Sequence, residues 1–252
     1  MNTFLAGLLR IALNHVASSG VGGNGFGATT EMSLKKLIWV ITRVHVEVDK
    51  YSSWDDAVEI DNRVDAARKN GMRHDWIIRD FYTHKIITRA LEQQETRRLC
   101  KIPDEVKKEV QPFYFNRTAI ATEDIDSERL KRSLMNLQKI TDFATKKCCP
   151  KNRDFVTKPR WSGMIANQHV NNVKYIGWIS ENVPINVLED YNLKSMTLEY
   201  RRECRQSNVL ESLTSMKAKI AENNSAKEDF ECTHLLRMED NNEEIFQARS
   251  LW

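Results

Sequence analysis

The sequence predicts an α+β protein in which one plan, a helix laid against an antiparallel sheet, is used twice. Three observations carry that prediction. A run with apolar residues at helical spacing opens the chain, segments alternating apolar and polar at every second residue follow it, and the same order returns after residues 101–159. With 252 residues and 41% apolar content, the chain has enough apolar surface for packed cores.

The first helix is expected over residues 4–17, where Leu5, Leu8, Leu9, Ala12, Leu13 and Val16 share one face, and the glycines from Gly20 to Gly27 end it. From Leu37 the period changes to two. Val40, Thr42, Val44, Val46 and Val48 alternate with Ile41, Arg43, His45 and Glu47, as a half-buried strand requires. Val58, Ile60 and Val64 repeat the pattern, and Met72 to Asp80 and Lys85 to Ala90 read as strands joined by a turn near Thr83–His84. Residues 1–100 thus form a first unit. Residues 101–159 hold four of the five prolines and an amphipathic stretch with Leu130, Leu134, Leu137 and Ile140 on one face, so they read as a linker containing a helix. Residues 160–252 form the second unit, with a helix from about Gln168 to Asn182 and strands at Ser195–Arg205, Val209–Ala221, Phe230–Glu239 and Glu244–Trp252.

Composition narrows the function classes. A net charge of +3 from 38 basic and 35 acidic residues argues against a duplex-coating nucleic-acid binder while leaving room for a local basic patch. No apolar run approaches the roughly 20 residues needed to cross a bilayer, and the opening Met1 to Arg10 lacks the charged start and cleavage site of a secretory signal. Cys100, Cys148, Cys149, Cys204 and Cys232 are odd in number and lack C-x-x-C spacing, so no disulfide framework, metal site or cofactor site is expected. Gly20 to Gly25 satisfies G-x-G-x-x-G, but a helix precedes it and a strand follows, the reverse of what pyrophosphate binding needs.

Asn167 and His169 stand at the mouth of the second helix. Blandly read, they are an N-cap and a polar core contact. They also suit acyl transfer, because an amide can orient a carbonyl or a water and an imidazole can exchange a proton with a reacting oxygen near neutral pH. The missing base or nucleophile is expected from the strand carrying Glu203 and Cys204, which strand alternation points to opposite faces unless a bulge intervenes.

The run Arg160-Trp161-Ser162 through Asn167-Gln168-His169-Val170-Asn171-Asn172-Val173-Lys174-Tyr175-Ile176-Gly177-Trp178, with Leu198-Glu199-Tyr200-Arg201-Arg202-Glu203-Cys204, closely resembles the plant plastidial fatty acyl-ACP thioesterases. Gly71-Met72-Arg73-His74-Asp75-Trp76 and Val209-Leu210-Glu211-Ser212-Leu213-Thr214 resemble their B class, whose members release mainly saturated fatty acids. The resemblance implies tandem hotdog folds, hydrolysis of an acyl thioester on acyl carrier protein (ACP) in the plastid stroma and no cofactor; the oligomeric state is left open, with a homodimer as the candidate. It places catalysis on Asn167, His169 and Glu203, with Cys204 at a cysteine once favoured as nucleophile. Glu203 is expected as the base that activates water.

The chain departs from the family at four places. Gly163 and Ile165 replace both acids of the family's D-L-D, the strand after Arg89–Ala90 reads as shortened, the chain opens at the first helix without the family's transit peptide or first strand, and the linker differs. Ile165 removes a carboxylate expected to anchor Asn167 and His169. An impaired copy that binds acyl chains or acyl-ACP without efficient turnover is therefore the alternative, and an acyl-CoA thioesterase a second. Lys35–Lys36, Arg97–Arg98, Lys107–Lys108 and Arg201–Arg202 are the paired basic positions available to an acidic carrier.

Overall fold

The computed structural model describes residues 28–53, 55–67, 71–96, 101–114, 118–120, 155–157, 159, 170–219 and 229–252. The chain divides into two compact units, the first ending at Glu128 and the second beginning at Arg129. The expected helix over 4–17, the glycine run and the amphipathic stretch at 130–140 lie outside the described residues.

In the first unit a short helix α1 (Thr30–Leu34) starts where the Thr29 hydroxyl accepts the Met32 amide at 3.2 Å. Four antiparallel strands follow, β1 (Trp39–Val48), β2 (Val58–Ala67), β3 (Gly71–Asp80) and β4 (Ile86–Thr96), in the order β2-β3-β4-β1. The strand expected to be short is the longest of the four. β4 runs eleven residues, with Thr96 still opposite Trp39, because Leu91 is fully buried and Glu92 is buried too, so a segment that reads as polar continues the sheet. Gly71 is required where β3 meets β4, since a Cβ there would lie 2.7 Å from the Gln94 carbonyl oxygen.

Residues 101–114, expected at the head of a linker, belong to this unit's core. Helix α2 (Asp104–Val110) begins after Pro103 with Asp104 and Glu105 in its first turn, and Ile102, Val106 and Val110, spaced by four, all face inward. Ile102 and Val106 pack with Met32, whereas Val110 packs with Val64 and Met72 of the sheet. On the other side of the sheet the buried Arg73 donates to both carboxylate oxygens of Asp75 at 2.6 and 2.8 Å and to the Ile120 carbonyl at 2.6 Å.

The second unit has a short strand β5 (Phe155–Thr157), helices α3 (Asn172–Ser180) and α4 (Ile185–Asp190), and strands β6 (Ser195–Tyr200), β7 (Leu210–Lys219), β8 (Asp229–Met238) and β9 (Glu244–Leu251). The strands are antiparallel in the order β6-β9-β8-β7-β5. α3 lies on the face that carries Tyr200, Phe246 and Ser212. Its Tyr175 ring sits 5.3 Å from Phe246 and 5.5 Å from Tyr200, and Asn182 just beyond it donates to Ser212 at 2.6 Å. Deeper in the same face a polar line is fully sealed: Thr214 and His234 are 2.9 Å apart, His234 and Ser250 3.0 Å, and the Trp252 indole donates to Ser250 at 2.9 Å.

Candidate functional site

The segment from Arg201 to Arg205, expected as the end of a strand, is a loop. β6 stops at Tyr200 because the Arg201 and Arg202 amides both donate to the Ile245 carbonyl, at 2.9 and 3.2 Å, so two residues are spent on one acceptor and the ladder cannot continue. The chain leaves the sheet there. It is caught again at Cys204, whose carbonyl accepts the Val170 amide at 3.2 Å, and at Arg205, whose amide donates to the Asn208 side chain at 2.7 Å.

Strand alternation is therefore not what separates Glu203 from Cys204, although they do face different surroundings. Glu203 is exposed, while Cys204 has no accessible surface and its thiol points at the Arg205 carbonyl, 3.6 Å away. Burial pushes the Cys204 thiol up to about 12, which keeps it protonated and non-nucleophilic at neutral pH.

Asn167 and His169, with Gly163 and Ile165, lie outside the described residues, and the chain resumes at Val170. The residue directly after His169 is hydrogen-bonded to the residue directly after Glu203. The N-cap of α3 is Asn171, whose side-chain oxygen accepts the Val173 amide at 3.1 Å. That cap stands four positions after Asn167.

Two supports escaped the sequence reading. Tyr175 is buried and hydrogen-bonded to the backbone of Cys204, and burial raises its hydroxyl so that it stays a neutral partner. Tyr200 donates to the Asn172 carbonyl at 3.0 Å, tying the end of β6 to the first turn of α3. The signal for both was the Tyr in each motif, which alone cannot say where the hydroxyl ends.

The basic pairs differ in what they offer a partner. Lys35 meets Glu105 at 3.6 Å and Lys107 meets Asp104 at 3.1 Å, Lys36 and Lys108 are exposed, and Arg97–Arg98 lies outside the described residues. Arg202 pairs with Glu243 at 3.3 Å on the surface, whereas Arg201 is turned back onto the sheet. Among the described residues no group of three His, Cys, Asp or Glu could hold a metal ion, and no helix is long and apolar enough to cross a membrane.

Two family models match the chain: the acyl-ACP thioesterase N-terminal domain over residues 1–110 and the acyl-ACP thioesterase C-terminal domain over residues 150–252. The chain is 45% identical, over its whole length, to a chloroplastic palmitoyl-acyl carrier protein thioesterase of Arabidopsis thaliana, and 39% identical, over 97% of its length, to a chloroplastic dodecanoyl-[acyl-carrier-protein] hydrolase of Cinnamomum camphora. It spans 59% and 60% of those two proteins. A solved 12:0-ACP thioesterase from Umbellularia californica is 35% identical and superposes with a TM-score of 0.81 over all of this chain and 86% of that one. Each unit of the present chain is a hotdog fold.

Proposed function

Because the chain belongs to the acyl-ACP thioesterase family, we propose that it hydrolyses a fatty acyl thioester carried on acyl carrier protein, in the plastid, with Glu203 as general base and Asn167 and His169 positioning water and thioester. The observation that supports this reading is the Val170–Cys204 hydrogen bond, which joins the residue following His169 in sequence to the residue following Glu203. In the reaction the carboxylate of Glu203 takes a proton from water as the water oxygen bonds to the thioester carbon. The carbon–sulfur bond then breaks, and the departing thiolate takes the proton back, leaving a free fatty acid and the carrier's thiol. No acyl-enzyme is needed, so the sealed and protonated Cys204 has no covalent part.

Further features belong to the same proposal. The catalytic residues reside in the unit following the linker, residues 160–252, with residues 1–100 as the companion hotdog. The relatives carry names for a palmitoyl and a dodecanoyl chain, both saturated, which supports B-class chemistry and leaves chain length unassigned. Exposed basic side chains such as Lys36, Lys108 and Arg202 would steer the acidic carrier, an effect that added salt weakens. The test is steady-state hydrolysis of a panel of saturated acyl-ACPs by purified protein. Turnover that Glu203→Gln removes supports the reading, and stoichiometric binding of acyl-ACP without turnover, in both the unmodified chain and Ile165→Asp, overturns it in favour of a binding-only copy.

A further inference from the structure

We propose that Arg201 is the positioning residue for Glu203: it fixes the loop that carries the base, and acts on hydrolysis only through it. The inference rests on the reading of Glu203 as general base. Arg201 is the first residue past β6, where the ladder to β9 breaks and the chain begins to leave the sheet. Its guanidinium donates to Glu244 at 2.9 Å and to Gln247 at 2.7 Å and approaches Glu199 at 3.5 Å, so one planar group ties together three acceptors on two neighbouring strands. Its amide and that of Arg202 share the Ile245 carbonyl, which makes Arg201 the pivot at which the chain turns out. Two residues later stands Glu203, and one beyond that the loop is fastened by Val170. Arg202 offers no rival anchor, since it and its partner Glu243 are both solvent-exposed. The other end of the loop is held by the Val170–Cys204 main-chain bond and by the Arg205 amide on the Asn208 side chain. Arg201 is thus the side chain on the β6 side that sets where the base stands, and a lysine, a compact point charge without the planar fork, could not span its three acceptors in the same geometry.

The test compares kcat and KM on one acyl-ACP for Arg201→Gln, Arg201→Lys, Glu203→Gln and the double variant Arg201→Gln/Glu203→Gln, in whichever of the unmodified chain or Ile165→Asp turns over. Lys194→Gln is the stability control, because Lys194 pairs with Asp229 at the opposite end of β6. Arg201→Gln is expected to lower kcat about 10- to 100-fold with KM retained, as misplacement of a catalytic group does. Arg201→Lys should recover part of that loss, and the double variant should be no slower than Glu203→Gln alone. Lys194→Gln should keep kcat whatever it does to the unfolding midpoint. If Arg201→Gln does not fold, Gln247→Leu, which removes one acceptor and leaves Glu244, should show a smaller loss of the same kind. Wild-type kcat in Arg201→Gln, or losses that multiply in the double variant, overturns the inference alone. A Glu203→Gln protein that keeps wild-type kcat overturns the reading beneath it.

Discussion

At Glu203 the carboxylate is in reach of solvent while its neighbour Cys204 is sealed, and that difference decides which of them can take a proton from water. Burial pushes the Cys204 thiol up to about 12, so it stays protonated at neutral pH. Glu203→Gln and His169→Ala are each expected to lower kcat about 10²- to 10⁴-fold, while Cys204→Ala keeps most of it and loses stability through the cavity it leaves. Equal inactivation by Cys204→Ala and Glu203→Gln, in protein shown to be folded, would restore the cysteine as nucleophile. Ile165 gives a second prediction. An Asp accepts hydrogen bonds that Ile cannot, so Ile165→Asp, alone or with Gly163→Asp, should raise turnover of acyl-ACP; an unmodified chain that is already fast and gains nothing shows that another group anchors Asn167 and His169.

Helix α3 is where local chemistry and the site meet, because the turn that Asn171 caps also receives Tyr200 and leads into Tyr175. Asn171→Ala should cost about 1 kcal/mol in chemical denaturation. Replacing Asn167 by Ala should leave the same measurement nearly unchanged, since it is not that cap. The β-strands were legible wherever one face is polar, as in β1 and β2, whose alternation shows in the residues themselves. The far half of β4 was hidden because its buried side chains include Glu92, which a sequence reader assigns to solvent. α2 was hidden by the prolines around it, although the four-residue spacing of Ile102, Val106 and Val110 was in view. A bulge ahead of Glu203 was open in the sequence, but its place was not legible: it is set by a carbonyl on Ile245, more than forty residues away, accepting two amides. The motif identified Glu203 and Cys204, and only the fold showed that one is presented and the other stowed.

At the scale of the whole molecule, each sheet buries a group whose titration burial moves, Glu92 in the first and His234 in the second, and the two respond to pH in opposite senses. Glu92, opposite His74 and Val44 and accepting from Gln94, is raised by burial from 4.5 to about 7. Between those values the folded state keeps a proton that the unfolded state has released, so the N-terminal unit weakens as pH rises to about 7 and changes no further above it. His234 is lowered by burial from 6.5 to about 3, so the C-terminal unit weakens as pH falls from 6.5, when the unfolded chain takes up a proton the folded one refuses. Hydrogen exchange followed separately in β3–β4 and β8–β9 should drift in opposite directions between pH 5 and 7. Glu92→Gln should flatten the first trend and leave the second, and parallel drift in both units would show that neither group controls it. The outer strand β2 carries Glu59, Asp61, Arg63 and Asp65 at every second position, and the C-terminal sheet tapers to the three-residue β5. For chains crowded together at high expression, β2 is a fringe of charge and β5 a stub, neither of which a stray strand can readily extend into a filament.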